Sequence, residues 1–362
     1  MKVLFASAEP YLPGAGGGAE HSIHALARAL LAARHACEVL AGVARGGPRF
    51  RHQLARRFLG SGDRLARRDH RNGYATWRAV PREVPDAIEE RLDAFRPDVV
   101  VSWNRACEEI ARAAARRGVR SIVWIPDASF SWHRGVLPAP PATRVAAVSE
   151  WLAGRVRERL ARPCDLLRPM VDVARYRVER RTPELVTLVN PSRAKGVDVA
   201  LALAERLPSR RFLFVGSRAL SKEDRAHLGG GLRRLRNVHV LSHADDMRRA
   251  YARTTVLLVP SQVEDACPRV VLEAHASGIP VVASEVGGIA EVSGGGSILL
   301  ARDAPVDAWA VEVERLLADP TAARLASERA LENARRSDFS EPAVLAAFLA
   351  IASSAPSPAP AA

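Results

Sequence analysis

The chain has 362 residues, of which 48% are hydrophobic and 26% charged, as in ordinary globular proteins large enough for two domains. No apolar run approaches the ~20 residues of a membrane-spanning helix, and the N-terminus starts as a strand rather than a signal peptide. The four cysteines are scattered without metal-ligand spacing, so we expect a reduced, cytoplasmic protein with no metal site. The net charge of +13 favours an anionic partner, although an arginine-rich coding bias would explain it nearly as well.

The N-terminal residues predict a strand, a glycine-rich loop and a helix. Residues 2–7 are apolar, and residues 20–34 have helical periodicity. The glycines between them, in residues 14–18, would let backbone N–H groups approach a phosphate ahead of the helix. We reject their formal match to the dinucleotide fingerprint G-x-G-x-x-A, because residues 8–13 intervene and no acid closes the second strand at 37–43. A plain linker is the alternative.

Residues 45–82 are the most basic part of the chain, with many arginines, several glycines and only Asp63 and Asp69 as acids. This composition is typical of a solvated, partly mobile loop, which is the interpretation we favour. Contact with an anionic partner such as acidic lipid is the alternative, and nucleic-acid binding is expected least.

The rest of the first half predicts alternating strands and helices. Strands are expected at 97–103, 120–125 and 145–149, and helices at 106–117 and 150–160. Such alternation is typical of a parallel sheet built from βαβ units. Residues 174–184 are charged and poor in strand formers, so we expect a linker there.

A basic loop opens the second half. An apolar strand at 185–189 is followed by Arg193, Lys195 and Gly196, and then by a helical pattern at 197–207. A lysine supplies a compact charge and an arginine a planar fork, so this pair is suited to clamp a diphosphate at the start of a helix. An ordinary surface lysine is the alternative. Strands at 211–215 and 238–241 and a short helix at 244–252 follow.

The second half is organised around residues 255–283, which predict a strand at 255–259, a helix at 268–277 and a strand at 279–283. Ligands bind beyond the carboxyl ends of the strands in such units. The first-turn N–H groups of the segment Cys267-Pro268-Arg269-Val270 would attract an anion. Asp265 and Glu273 could accept hydrogen bonds from sugar and ribose hydroxyls, or be merely a capping acid and a surface glutamate.

This segment resembles the nucleotide-sugar-binding region of glycosyltransferase family 4, where two glutamates flank seven residues. The residues in register with the family pattern are Glu273-Ala274, Gly278, Pro280-Val281-Val282, Gly287-Gly288 and Glu291. Asp265 occupies the first acidic position, so either Asp265 or its neighbour Glu264 would contact the sugar.

Two further segments are similar to the family. Gly17-Gly18-Ala19-Glu20 matches its Gly-Gly-x-Glu loop, and Lys195-Gly196 matches its Lys-Gly pair. Arg193 stands near the family's arginine position. Where many members carry a His-Asp pair, this chain has Pro126-Asp127, so no histidine is carried over.

The resemblance implies the α/β GT-B fold, with two doubly wound, Rossmann-like parallel-sheet domains facing a cleft. The acceptor-side domain would span residues 1–173, and the nucleotide-sugar domain residues 185–340. A helix at 341–353 would cross back to the N-terminal domain, and the Pro/Ala/Ser-rich residues 354–362 are expected to be disordered.

The resemblance also implies a retaining, metal-independent hexosyltransferase that uses a nucleotide-sugar donor, a hydroxyl acceptor and no cofactor. Lys195 and Arg193 would neutralise the diphosphate, and Glu273 would hold the ribose. Gly17 and Gly18 would lie near the diphosphate and the acceptor. The acceptor could be anionic or membrane-associated, which leaves open peripheral binding at the inner membrane face. A non-hydrolysing sugar-nucleotide epimerase of the same fold and a catalytically silent nucleotide-sugar-binding or scaffold protein are the alternatives.

Overall fold

The computed structural model describes residues 1–13, 17–44, 65–129, 143–179, 184–217, 220–242, 244 and 246–354. The chain divides into two compact units. Unit 1 comprises Met1–Met170 and Glu341–Ala362, and unit 2 comprises Val171–Ser340.

Unit 1 contains an eight-stranded sheet. Its strands are β1 (Lys2–Pro10), β2 (Ala36–Gly42), β3 (Ala66–Asp69), β4 (Ala75–Ala79), β5 (Val99–Trp103), β6 (Arg120–Ile125), β7 (Thr143–Ala147) and β8 (Asp165–Leu166). The spatial order is β3-β4-β2-β1-β5-β6-β7-β8, and every neighbouring pair is parallel except β3 with β4. The central strands are almost continuously apolar because helices pack on the sheet.

The helices of unit 1 begin with α1 (Gly18–Ala32), α2 (Val84–Phe95), α3 (Cys107–Arg116) and α4 (Glu150–Leu160). The side chain of Ser149 caps α4 by accepting from the backbone N–H of Leu152 at 3.2 Å. Fully buried Leu4, Val100 and Ile110 belong to the apolar core that joins the sheet to α2 and α3.

The expectation of a mobile basic loop is wrong for residues 66–82, which form β3, β4 and the start of a 3-10 turn at Pro81–Glu83. Arg78 is buried on β4, where its guanidinium donates to the Asp69 carboxylate at 2.6 Å and to the Tyr11 carbonyl at 3.1 Å. Charged residues on β3 misled the sequence interpretation, because an edge strand tolerates exposed arginines. Residues 45–64 lie outside the described residues.

Unit 2 contains a six-stranded sheet in which every neighbouring pair is parallel. Its strands are β9 (Leu185–Val189), β10 (Arg211–Val215), β11 (Val238–Leu241), β12 (Thr254–Val259), β13 (Val281–Ser284) and β14 (Ser297–Leu300). The order β11-β10-β9-β12-β13-β14 proceeds outward in both directions from β9 and β12. The point where the strand order reverses is therefore between these two strands.

The helices of unit 2 are α5 (Val173–Tyr176), α6 (Val197–Arg206), α7 (Lys222–Leu232), α8 (Arg248–Tyr251), α9 (Arg269–His275), α10 (Ile289–Ser293), α11 (Val306–Ala318) and α12 (Pro320–Ala334). Fully buried Phe212, Phe214 and Trp309 lie in the core that joins the sheet to α6 and α11.

The last helix, α13 (Glu341–Ser353), belongs to unit 1 although it follows unit 2 in sequence. Phe348 is fully buried, and its ring centroid lies 6.4 Å from that of Phe5 on β1. The prediction of an α/β protein with two doubly wound, largely parallel sheets is confirmed. Within the described ranges, no helix has both the length and the apolar character needed to cross a bilayer.

Candidate functional site

Three loops of unit 2 meet at the carboxyl ends of β9, β12 and β13. The N–H of Gln262, after β12, donates to the carbonyl of Ala194, after β9, at 2.9 Å. The N–H of Gly288, after β13, donates to the carbonyl of Asp265 at 2.8 Å. These backbone hydrogen bonds join the three loops at the edge where parallel α/β sheets bind ligands.

Two glycines make this close approach possible. A Cβ at Gly196 would lie 1.9 Å from the carbonyl oxygen of Pro260, and the Gly196 φ of +76° disfavours any L side chain. A Cβ at Gly287 would lie 2.5 Å from the carbonyl oxygen of Asp265, at a φ of +60°. Larger residues would therefore separate the loops.

Lys195 and Asp265 form an ion pair across these loops, between the ammonium Nζ and the carboxylate Oδ2. The hydroxyl of Ser261 donates to the same carboxylate oxygen at 3.2 Å. The Lys195 side chain is 33% exposed and that of Asp265 only 12% exposed, so the ammonium is the more accessible partner. The backbone N–H of Lys195 donates to the side chain of Ser192 at 3.3 Å, which fixes the turn.

The other predicted charged ligands of these loops face solvent. Glu264 is exposed, whereas Asp265 is half-buried against Lys195. Arg193 is exposed, and its backbone N–H donates to Asp224 on α7 at 3.0 Å. That hydrogen bond is the main cause of a lowered pKa of the Asp224 carboxyl. The loop carrying Arg193 and Lys195 is thus anchored to α7.

Glu273 lies on α9 and is 7% exposed. The hydroxyl of fully buried Tyr251 donates to Glu273 Oε2 at 2.9 Å, and Arg269 Nε lies 3.6 Å from Oε1. Burial, followed by the charge of Glu273, raises the pKa of the Tyr251 phenol, so this group stays a hydrogen-bond donor. A carboxylate can accept about four hydrogen bonds, so these partners orient Glu273 and leave acceptor capacity for a ligand.

Sequence reasoning missed Tyr251, the last residue of α8, which lies two residues short of β12. The available signal was a lone tyrosine closing a short helix, and nothing in that pattern indicates a carboxylate partner 22 residues later. Burial and the charge of Glu273 also raise the pKa of the Tyr176 phenol. The Tyr176 ring packs edge-on against the Tyr251 ring, with 6.4 Å between the ring centroids.

Helix α9 is shorter than predicted, spanning Arg269–His275 with Pro268 as its N-cap. The N-cap Pro268 is buried, while Cys267, Arg269 and Val270 are partly exposed. The predicted anion-attracting segment therefore lies directly after the loop that contains Asp265. Gly278 follows the helix at a φ of +61°.

His275, also on α9, is a buried anchor that sequence reasoning did not identify. It has no exposed surface, and Asn333 on α12 donates to its Nδ1 at 2.8 Å. The hydroxyl of Ser297 lies 3.2 Å from its Nε2. Burial lowers the pKa of His275 to about 3, so the imidazole is neutral and ties α9 to α12 and β14.

The two predicted glycines of the N-terminal loop belong to unit 1. The N–H of Gly17 donates to the Glu20 carboxylate at 2.7 Å, and Gly18 begins α1. The other oxygen of Glu20 accepts from the Trp103 indole at 3.2 Å. Gly17 and Gly18 are therefore held at the start of α1 by the buried acid of the Gly-Gly-x-Glu segment.

Within the part of the chain that the structure describes, no group of three or more His, Cys, Asp or Glu side chains is arranged to hold a metal ion.

Residues 183–319 match the family model described as glycosyl transferases group 1. Sulfoquinovosyl transferase SQD2 of Arabidopsis thaliana is 31% identical over 121 residues, covering 33% of this chain and 23% of that protein. Exopolysaccharide phosphotransferase SCO2592 of Streptomyces coelicolor is 34% identical over 160 residues, covering 41% of this chain and 17% of that protein. The matched region thus spans less than a quarter of either relative.

Solved structures resemble nearly the whole chain. Anabaena Alr3699/HepE in complex with UDP and glucose has a TM-score of 0.76 at 18% identity, over 98% of this chain and 100% of that chain. Sucrose-phosphate synthase of Thermosynechococcus elongatus has a TM-score of 0.74 at 17% identity, over 97% and 98%. The fold is therefore GT-B, as the sequence predicted. Within this fold, residues 183–319 are thus similar to glycosyl transferases group 1.

Proposed function

We propose that this chain is a retaining glycosyltransferase that moves a sugar from a nucleotide-diphosphate sugar to a hydroxyl acceptor. The observation that carries the proposal is the meeting of the Lys195, Asp265 and Gly287-Gly288 loops at one sheet edge, inside the region matched by the family model. The HepE structures contain UDP or UDP-glucose, which supports a donor of this class.

In the proposed reaction, the bond between the anomeric carbon and the diphosphate oxygen breaks. The acceptor oxygen bonds to the same face of that carbon, and its proton passes to the leaving diphosphate. Lys195 and exposed Arg193 neutralise the charge that develops on the diphosphate, assisted by N–H groups in the segment Cys267–Val270. The protein thereby supplies position and charge stabilisation.

Glu273 is proposed to accept hydrogen bonds from the ribose hydroxyls. Tyr251 and Arg269 already fix its carboxylate, so the acceptor lone pairs are oriented before the donor arrives. Gly17 and Gly18 of unit 1 are further donor-binding candidates, proposed on the family resemblance. Asp265 or Glu264 is the resemblance-based candidate for contact with the sugar ring.

An anionic or membrane-associated acceptor is part of the proposal. The exposed Arg67 and Arg68 on the edge strand β3 support it, because they present positive charge on the surface of unit 1. Vesicle co-sedimentation with and without anionic lipid tests this point, with the double substitution of Arg67 and Arg68 by glutamine as the variant.

The donor is tested by thermal shift with UDP, GDP, ADP and dTDP, followed by incubation with the matching nucleotide sugars. Free nucleotide and a glycosylated acceptor indicate a transferase, whereas a new sugar nucleotide indicates an epimerase. Stabilisation without turnover indicates a silent binding protein. The anomeric configuration of the product, read by NMR, tests retention.

The site is tested by Lys195→Ala, and Lys222→Ala, at an exposed position of α7, is the matched control. We expect Lys195→Ala to weaken nucleoside diphosphate binding by about tenfold or more, because it removes a charge-assisted contact. Lys222→Ala should bind as the wild type does. Equal binding by wild type and both variants would contradict the assignment of Lys195.

A further inference from the structure

The Asp265 carboxylate is paired with Lys195, the residue proposed above to bind the diphosphate. We propose that Asp265 is a built-in counter-ion that competes with the diphosphate for Lys195 and thereby promotes release of the nucleoside diphosphate product. This inference rests on the proposed function, and it gives Asp265 a role that does not require contact with the sugar.

Asp265 is held rigidly from several sides. Fully buried Ser261 donates to its carboxylate, Gly288 donates to its carbonyl, and Gly287 packs against its backbone without room for a Cβ. Lys195 has a flexible four-carbon stem and the more exposed side chain of the pair. An arriving diphosphate can therefore draw the ammonium toward itself, while the carboxylate stays in place.

The fixed carboxylate then repels the anion that has replaced it. This repulsion is greater for the product than for the donor, because a terminal phosphate loses its second proton at a pKa of ≈ 6 and so gains up to about one further negative charge. Re-formation of the Lys195–Asp265 pair also offsets the loss of the phosphate contact when the product leaves. Competition for Lys195 lowers the affinity for both ligands, and the stronger repulsion lowers it further for the product.

The affinities for the diphosphate and for the nucleotide sugar together separate three roles for Asp265. If it binds the sugar ring, neutralising it weakens the affinity for the nucleotide sugar, because only that ligand has a sugar at this position. If Asp265 only holds Lys195 in place, neutralising it weakens the affinity for the diphosphate. A competing counter-ion predicts tighter diphosphate binding without a loss of affinity for the nucleotide sugar.

The experiment is calorimetric titration of the wild type and Asp265→Asn with whichever of UDP, GDP, ADP and dTDP gives the largest thermal shift. We expect Asp265→Asn to bind this diphosphate about three- to tenfold tighter, with a smaller change for the corresponding nucleotide sugar. Product inhibition of transfer should strengthen in parallel. Asp307→Asn removes an acid of unit 2 that is 75% exposed and should change neither affinity.

Asp265→Ala is a second neutral variant with the same expected sign, and the melting temperature of each ligand-free variant checks that it is folded. Unchanged or weaker diphosphate binding in the folded neutral variants would overturn the counter-ion role. If the wild type still binds nucleotide and transfers sugar, the proposed function survives that result. Absence of binding and turnover in the wild type would instead overturn the proposed function, and the counter-ion role with it.

Discussion

The neutral, buried His275 predicts that unit 2 loses stability on mild acidification. Its pKa is lowered from 6.5 to about 3 in the folded protein because the ring has no access to water. Between these values the unfolded chain binds a proton that the folded chain does not, so stability falls as the pH falls. The contribution is complete above pH 6.5 and is lost progressively down to about pH 3.

The magnitude follows from that difference. Moving from pH 7 to pH 5 should cost about 2 kcal/mol from this residue, and the full loss near pH 3 approaches about 5 kcal/mol. The first value is a large fraction of the stability of an ordinary domain. It also bears on the candidate site, because His275 anchors the same helix that carries Glu273.

The assay is urea unfolding at pH 7 and pH 5 for the wild type and His275→Gln, with hydrogen exchange of peptides from α9 reporting on unit 2. A glutamine can accept from Asn333 and donate to Ser297 without titrating. We expect the wild type to lose about 2 kcal/mol more than the variant between the two pH values, since all other groups are common to both. His239→Gln, on exposed β11, should retain the wild-type pH dependence. Equal losses in the wild type and His275→Gln would refute the reasoning.

Three further predictions concern the candidate site. Tyr251→Phe removes the hydroxyl that donates to buried Glu273. It should lower the free energy of unfolding by about 1–3 kcal/mol, measured by thermal unfolding, and weaken nucleotide binding, measured by calorimetry. Unchanged values would contradict the orienting role of Tyr251. In Gly196→Ala, the new Cβ would lie 1.9 Å from the carbonyl oxygen of Pro260, so this variant should destabilise unit 2 by more than about 2 kcal/mol. Gly229→Ala on α7 has open space for its Cβ and should stabilise unit 2 by about 0.5–1 kcal/mol. The proposed charge neutralisation by Lys195 predicts that EDTA leaves the transfer rate within about twofold, and a rate restored only by added Mg²⁺ or Mn²⁺ would be the contrary outcome.

Strands of unit 2 were the most predictable part of the fold. The expected ranges 185–189, 211–215 and 238–241 coincide with β9, β10 and β11. The apolar runs of β9 and β10 end at Asn190 and Gly216, and a largely buried parallel strand needs little else to be recognised.

Elements whose stability comes from tertiary contacts were missed. Helix α7 contains Gly229, Gly230 and Gly231, each costing about 1 kcal/mol relative to alanine in a helix, so its local sequence does not predict a helix. The cap at Ser221 and the packing of Leu228 into the core of unit 2 help to stabilise it. Strands β3 and β4 were likewise hidden by their arginines, because burial of Arg78 depends on Asp69 and on carbonyls far away in the chain.

The sequence predicted the chemical types at the candidate site but not their pairing. Lys195 and Asp265 are 70 residues apart, and they meet only because β9 and β12 are neighbours in the sheet. The exposure of Glu264 and the partial burial of Asp265 likewise depend on how the loop after β12 bends toward Gly287 and Gly288. A one-residue difference in that bend would exchange their environments, and no local pattern specifies it.

The Lys195–Asp265 pair is better explained by ligand binding than by stability. A partly exposed ion pair contributes at most about 1 kcal/mol, and well-packed apolar residues commonly replace a buried pair without loss. Yet the loops that bring these charges together contain two glycines with positive φ, Gly196 and Gly287, and each packs so closely against a neighbouring backbone that a Cβ would not fit. Folding alone does not require that arrangement. Lys195 lies near solvent and is paired with a fixed acid at the carboxyl edge of a parallel sheet. An arriving anion competes with that acid for the lysine, and the ion pair can form again when the anion leaves. The pair is therefore suited to bind and release a diphosphate.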